Sequence, residues 1–128
     1  MRTIRRNATE VKAHIEQLWD ARNTYVADQI RRYPIDAVLA AVAAAHGYDV
    51  SALRSKSRVH PLSMARHHAV WELRRRRLDM SFLNIAAHLD RIHHATALHS
   101  WHVFCGLVLQ GAYAVERAAV AKELGDEA

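Results

Sequence analysis

The stretch Ser81-Phe82-Leu83-Asn84-Ile85-Ala86-Ala87-His88-Leu89-Asp90-Arg91-Ile92-His93-His94-Ala95-Thr96-Ala97-Leu98-His99-Ser100 decides how this chain is read. It has the pattern of a short helix with an apolar face, a tight break, and a second helix that opens on small and hydrogen-bonding side chains. That succession is the sequence form of a helix-turn-helix, whose second helix offers its first turn to base edges in a DNA major groove. Upstream, Leu53-Arg54-Ser55-Lys56-Ser57-Arg58 supplies a short basic loop.

With 128 residues, the chain makes one domain with a modest core. The formal charge is +5, but its distribution says more than its size. Residues 54 to 102 hold nine lysines and arginines against Glu72, Asp79 and Asp90, and eight of the ten histidines. A polyanion would meet this half first and bind in a salt-sensitive way. No Gly-rich loop ending in Lys-Ser or Lys-Thr occurs, so no nucleotide-hydrolysing module is expected. No run of about 18 apolar residues exists, so no membrane span or membrane partner is expected. Met1 to Arg6 is charged without a following apolar segment, which argues against a secretory signal. The single Cys105 suits a reducing cytoplasm, the expected location.

Two prolines and four glycines are the main punctuation, and the reading is all-α. Asn7 and Glu10 form a capping pair for a helix reaching about Arg32, with Val11, Ile15, Leu18, Trp19, Tyr25, Val26 and Ile30 on one face. Pro34 suits the first position of a helix that Gly47 stops. Ser51 caps a short turn anchored by Leu53. Pro61 opens a helix burying Leu62, Ala65, Ala69, Val70 and Leu73. The last helix is expected from about His94 to Leu124, with Ala97, Trp101, Phe104 and Val108 inward and His99 and His102 outward. The tail from Lys122 to Ala128 is expected to fray. Arg74 to Arg77 suits a helix C-terminus, where cations complement the dipole and arginine stems cover apolar surface.

From Pro34 to about residue 104 the order of these features resembles the C-terminal DNA-binding domain (domain IV) of the bacterial replication initiator DnaA. That family runs through a helix ending near Gly, a Ser-Lys-rich basic loop and a long helix. A Ser-Leu-Pro-Glu-Ile-Gly helix and Gly-Gly-Arg-Asp-His-Thr-Thr-Val-Leu-His-Ala follow. From Ser81 to Ser100 the match needs no gap, and Ser81, Ile85, His94, Thr96, Leu98 and His99 coincide with the family's letters. The Gly pair is Asp90-Arg91 here, the Arg is Ile92, the Asp is His93 and the first Thr is Ala95. The resemblance implies a helix-turn-helix domain of DnaA domain IV or Trp-repressor-like type over 34–104. An N-terminal helical extension occupies 1–33, and the continued last helix and tail occupy 105–128. The scaffold carries over; the family's DNA sequence preference does not.

The same resemblance nominates the contact residues. His94 and Thr96 match positions that read bases, and His93 stands where the family places its acid. A Thr can donate, accept and set its methyl against thymine, while a neutral imidazole has one donor and one acceptor. Arg54, Lys56 and Arg58 match the loop that reaches the minor groove and phosphates, with alternate spacing that sends all three to one side of an extended strand. Arg66 and His67 match a pair that touches the DNA backbone, and His99 a residue near phosphate.

His88, His93, His94, His99 and His102 lack the spacing of a two-histidine zinc motif, so no metal is expected. No nucleophile with its base is visible, so neither an enzyme nor a cofactor is expected. The apolar run Val103 to Leu109 suits packing against the N-terminal helix, or else a second protein or second copy. The expectation is a sequence-specific regulator of transcription that binds double-stranded DNA. Stand-alone domains of this kind resemble phage-derived activators, including those of gene transfer agents, which implies activation with a protein partner such as a co-activator or RNA polymerase. The alternatives are a replication initiation factor or modulator at DnaA-type sites, and a protein-interaction adaptor with an incidental basic face.

Overall fold

The structure, a computed structural model, describes residues 7–126. Its seven helices are α1 (Ala8–Arg32), α2 (Ile35–Ala45), α3 (Val50–Arg54), α4 (His60–Arg76), α5 (Phe82–His88), α6 (His94–Leu109) and α7 (Ala114–Glu123). No strand occurs among the described residues, and the fold is all-α. The charged segment Met1 to Arg6 lies outside the described residues.

α4 is the central helix. It packs on α2, α3, α5 and α6, while α7 packs on α2. Leu62, Ala65, Ala69, Val70 and Leu73 are buried on α4 as expected, facing Val38, Leu39 and Val42 of α2, Leu53 of α3, and Ile85 and Ala86 of α5. Because neighbours surround α4, its polar residues Arg66, His68, Glu72 and Arg76 are buried as well. Each then needs an internal partner to offset the loss of water.

The helix ends follow local chemistry, with small departures from expectation. Asn7 and Glu10 form the reciprocal cap of α1, the Asn7 Oδ1 accepting from the Glu10 N–H at 2.8 Å. Pro34 sits just before α2 and not inside it. α3 is capped by Asp49, whose carboxylate accepts from the Ala52 N–H at 2.8 Å; Ser51, the expected cap, donates to that carboxylate. Two short-range acceptors compete there, and the carboxylate is the stronger.

The expected single helix from His94 to Leu124 is broken. After Leu109 the chain bends by 109° before α7 begins. Gly111 (φ +75) takes the left-handed conformation, and the Ala112 N–H donates back to the Leu107 carbonyl at 2.9 Å, closing a Schellman motif. Tyr113 (φ +56) completes the turn and starts α7 in the other direction. The return buries Val120 against the core and brings Tyr113 beside the fully buried Phe104. The run Val103 to Val108 therefore packs on the body of the domain and not on α1, which lies lengthwise against no other helix, while Leu109 is left exposed. No single helix among the described residues is long and apolar enough to cross a membrane.

The tail is held up to Asp126. Arg76 donates to its Oδ1 at 2.7 Å and pairs with Oδ2 at 2.6 Å, and the Tyr33 hydroxyl donates to Oδ1 at 2.8 Å. The expected fraying thus fails at Asp126, while 127 and 128 lie outside the described residues.

Candidate nucleic-acid interface

The helix-turn-helix is built as its sequence suggests. The Ser81 hydroxyl accepts from the Asn84 N–H at 3.1 Å and starts α5, which buries Ile85 and Ala86. After Leu89 the chain turns at Asp90 (φ +55), with Arg91 N–H donating to the Ala86 carbonyl at 2.8 Å. This is the same motif that ends α6, with Asp in the place glycine fills at Gly111. A left-handed conformation is tolerated by Asp better than by most side chains, which accounts for the loss of the family's glycine.

α6 then opens on an exposed surface. His93 is its N-cap residue in extended conformation, yet no side chain caps the helix. His93, His94, Ala95, Thr96, Leu98 and His99 are exposed, while Ala97 and Ser100 face inward. The three base-reading candidates, His93, His94 and Thr96, therefore share one free helical turn. Ile92 beside them is 81% exposed, an apolar side chain without a packing role. The departure from the family's Arg at this position pointed to it, though the chain's own spacing does not.

The basic loop differs from its expected form. Arg54 is the last residue of α3, and its Nε donates to the His88 carbonyl at 2.9 Å, while its guanidinium stands 3.7 Å from the Asp36 carboxylate. Arg66 is buried and turned into the loop. It donates to the carbonyls of Leu53 (2.8 Å), Ser55 (2.8 Å), Ala52 (3.3 Å) and Ser57, and to the Ser55 hydroxyl (3.1 Å). Burial, then the neighbouring Arg91 charge, holds the Arg66 guanidinium below its usual pKa. Arg91 donates to the carbonyls of Ser55 (2.9 Å) and Leu89 (3.0 Å). Arg54 and Arg91 thus pin the loop to the helix-turn-helix, and Arg66 pins it to α4.

Of the two arginines expected at DNA here, Arg66 is buried with its forked donors on backbone carbonyls, whereas Arg54 gives only its Nε to a carbonyl and stays partly exposed. Arg91 was missed as the third brace because its partner lies 36 residues away. Lys56 and Arg58 are exposed and have no partner among the described residues. Arg58 also lines a cleft of about 320 Å³ with Ser63, His67, Thr96 and Ser100, between the loop and the start of α6.

His67, expected against the DNA backbone, is a brace as well. It is half-buried, and its Nδ1 shares a hydrogen bond with the Ser100 hydroxyl at 2.7 Å, tying α4 to α6. Burial, followed by the charges of His99, Arg66 and His60, pushes its pKa down to about 4. His99 stays exposed, its ring edge-on to His67 at 5.8 Å between centroids.

The other basic stretch is internal at its C-terminal end, with Arg75 exposed. Arg76 and Arg77 are buried, with Arg76 Nε donating to Glu72 at 3.1 Å and Arg77 forming a two-point pair with Asp79 at 2.9 and 3.0 Å. Arg74 donates to the Met80 carbonyl, and Arg75 pairs with Glu72 at 3.1 Å. Beside them lies fully buried His68, stacked on Phe104 at 4.6 Å and hydrogen-bonded through Nδ1 to His46 Nε2 at 2.8 Å. Burial, then the His46 charge, pushes its pKa down to about 3. Neutral His68 thus carries its second nitrogen toward Glu72 at 4.0 Å. Among the described residues no three His, Cys, Asp or Glu side chains gather as a metal-ligand set.

This geometry, an exposed helix start beside a braced basic loop, fits a helix-turn-helix that docks on duplex DNA. The family model of the bacterial DnaA protein helix-turn-helix matches residues 35–103. That span covers more than half of the chain and runs from α2 to the middle of α6. No curated protein and no solved structure matches the chain. The chain belongs to the bacterial DnaA helix-turn-helix family, and its domain is of the DNA-binding type.

Proposed function

We propose that this chain is a sequence-specific transcription regulator that binds double-stranded DNA, acting without catalysis or cofactor in the cytoplasm on the nucleoid. The observation that supports this reading best is the exposed first turn of α6, where His93, His94 and Thr96 stand together with no internal partner. Imidazole and hydroxyl groups offer both donors and acceptors to base edges, and Ile92 adds an apolar contact for a thymine methyl. Lys56, Arg58 and His99 meet phosphate or the minor groove, and the cleft beside Arg58 leaves room for the backbone to approach. Arg54, Arg66 and His67 act one step back, by holding these groups in place. The regulated genes are of prophage or gene-transfer-agent type, and the sign is activation. The recruited protein, a co-activator or RNA polymerase, meets the terminal helices, where Leu109 and Val115 are 89% and 78% exposed.

Genome-wide occupancy mapping tests this reading. Peaks at promoters of phage-like gene clusters, with transcripts that fall when the gene is deleted, are the expected result. Peaks confined to replication origins would establish the alternative, an initiation factor or modulator at DnaA-type sites. Absence of binding to pooled genomic duplex in a low-salt anisotropy titration would leave only the adaptor.

A further inference from the structure

We propose that α1 is a self-association helix, pairing antiparallel with α1 of a second copy of this chain. α1 carries Val11, Ile15, Leu18, Trp19, Tyr25 and Ile30 on one face, each 43% to 57% exposed. Along the seam, positions 11, 15, 18, 22, 25 and 29 alternate steps of four and three, the spacing of a two-helix contact. Only the base of α1 is tied to the body. There Gln29 is buried, its Oε1 accepting from the Leu78 N–H at 3.1 Å. A helix of 25 residues, about 37 Å long, thus presents to solvent an apolar stripe from Val11 to Tyr25, interrupted by Arg22. Such stripes are covered in stable assemblies.

Charge complementarity selects the occupant. In a parallel pair, Arg22 would face Arg22 across the seam. An antiparallel pair with its twofold axis near residue 20 removes this clash. It sets Ile15 against Tyr25, Leu18 against the stem of Arg22, and Val11 against Gln29 beside Leu78, which is 50% exposed. On one flank Glu10 meets Arg32 and His14 meets Asp28. On the other flank the two Trp19 rings meet at the axis. Ala21 faces Ala21, small enough for close approach. The sequence of this single helix is therefore complementary to itself when reversed, as a twofold contact requires.

Light scattering and sedimentation of the full chain, without DNA, test the proposal. A concentration-dependent dimer is expected. Ile15→Glu sets a carboxylate against Tyr25, and Trp19→Glu sets two carboxylates together at the axis. Each should weaken the dimer by about tenfold or more, while the thermal unfolding of the α2–α7 body is retained. Orientation is read with Cys105→Ser as background and a short bis-maleimide reagent. Ala21→Cys, next to the axis, should cross-link, and Ala8→Cys, far from it, should not. A chain that stays monomeric at every concentration, or an Ala8→Cys variant that cross-links as well as Ala21→Cys, overturns the proposal. DNA binding plays no part in these readouts.

Discussion

Two stretches of this chain, three cations in one and four in the other, look alike on paper and differ in the structure. The loop from Arg54 to Arg58 sends Lys56 and Arg58 to the surface, while in the run Arg74 to Arg77 the last two residues are buried on Glu72, Asp79 and Asp126. The difference comes from what surrounds each. α4 is packed by its neighbours, so its last turn meets carboxylates and carbonyls before it meets water. The loop is outside that packing and keeps two side chains in solvent. Charge read by counting is therefore a poor guide to charge available to DNA, because a buried guanidinium with its own anion adds almost nothing to the field outside.

The comparison breaks first at Arg76. Arg76→Ala leaves buried Glu72 and the tail carboxylate without their main cation, and should destabilise the fold by about 3–5 kcal/mol in urea titrations. Its DNA affinity, corrected for the folded fraction, should be unchanged. A large specific loss of binding would place the run at the DNA after all.

Acid probes the same buried region. His68 and His67 are held to about 3 and about 4 in the fold, against 6.5 unfolded. The unfolded chain takes up protons first, so stability is complete above about pH 6.5 and falls as pH drops toward 4. Each histidine contributes a slope of up to about 1.4 kcal/mol per pH unit. Asp126 adds loss further down, since its hydrogen bond from Arg76 keeps its carboxyl below the usual range. Denaturation midpoints at pH 7 and 5 check this, and His68→Phe should flatten the curve.

On the loop side, Arg66→Ala should release the carbonyls of residues 52 to 57 and cost about 2–3 kcal/mol, from loss of charge-assisted hydrogen bonds. Binding should weaken alike on every DNA sequence. Arg66→Lys should not rescue it, because an ammonium lacks the guanidinium fork.

Direct readout gives a smaller and sharper effect. His94→Ala or Thr96→Ala should lose about 1–3 kcal/mol on the preferred site and little on random duplex. Equal losses on both would remove α6 from base reading. The smallest effect is on salt. Lys56→Ala or Arg58→Ala should each lower the salt slope of DNA affinity by about 1.

Much of the fold was legible because it rests on local signals. The Asn7–Glu10 cap, the stop at Gly47 and the helical spacing from Leu62 to Leu73 involve residues a few positions apart. The exposed start of α6 was legible for the same reason, through its resemblance to a known pattern. What escaped was long-range. The pairing of Arg76 with Asp126 spans 50 residues. The turn of Arg66 into the loop depends on α3 and α4 meeting, which no spacing announces. The break after Leu109 was masked because the apolar period continues through it, although Gly111 was a local warning. Asp90 concealed a left-handed turn by standing where glycine is usual.

The scarcity of free cations around α6 bears on how the protein would search a genome. Sequence-independent grip on DNA comes almost wholly from phosphate neutralisation. Lys56 and Arg58 are the exposed cations of the loop, while Arg66 and Arg91 are turned to carbonyls; were phosphate contact limited to that pair, the grip would be weak and few molecules would be detained at the vast excess of irrelevant sites. Discrimination then rests on contacts that exist only where the bases are right. Such a protein occupies few sites at low copy number, and a modest rise in its concentration fills them.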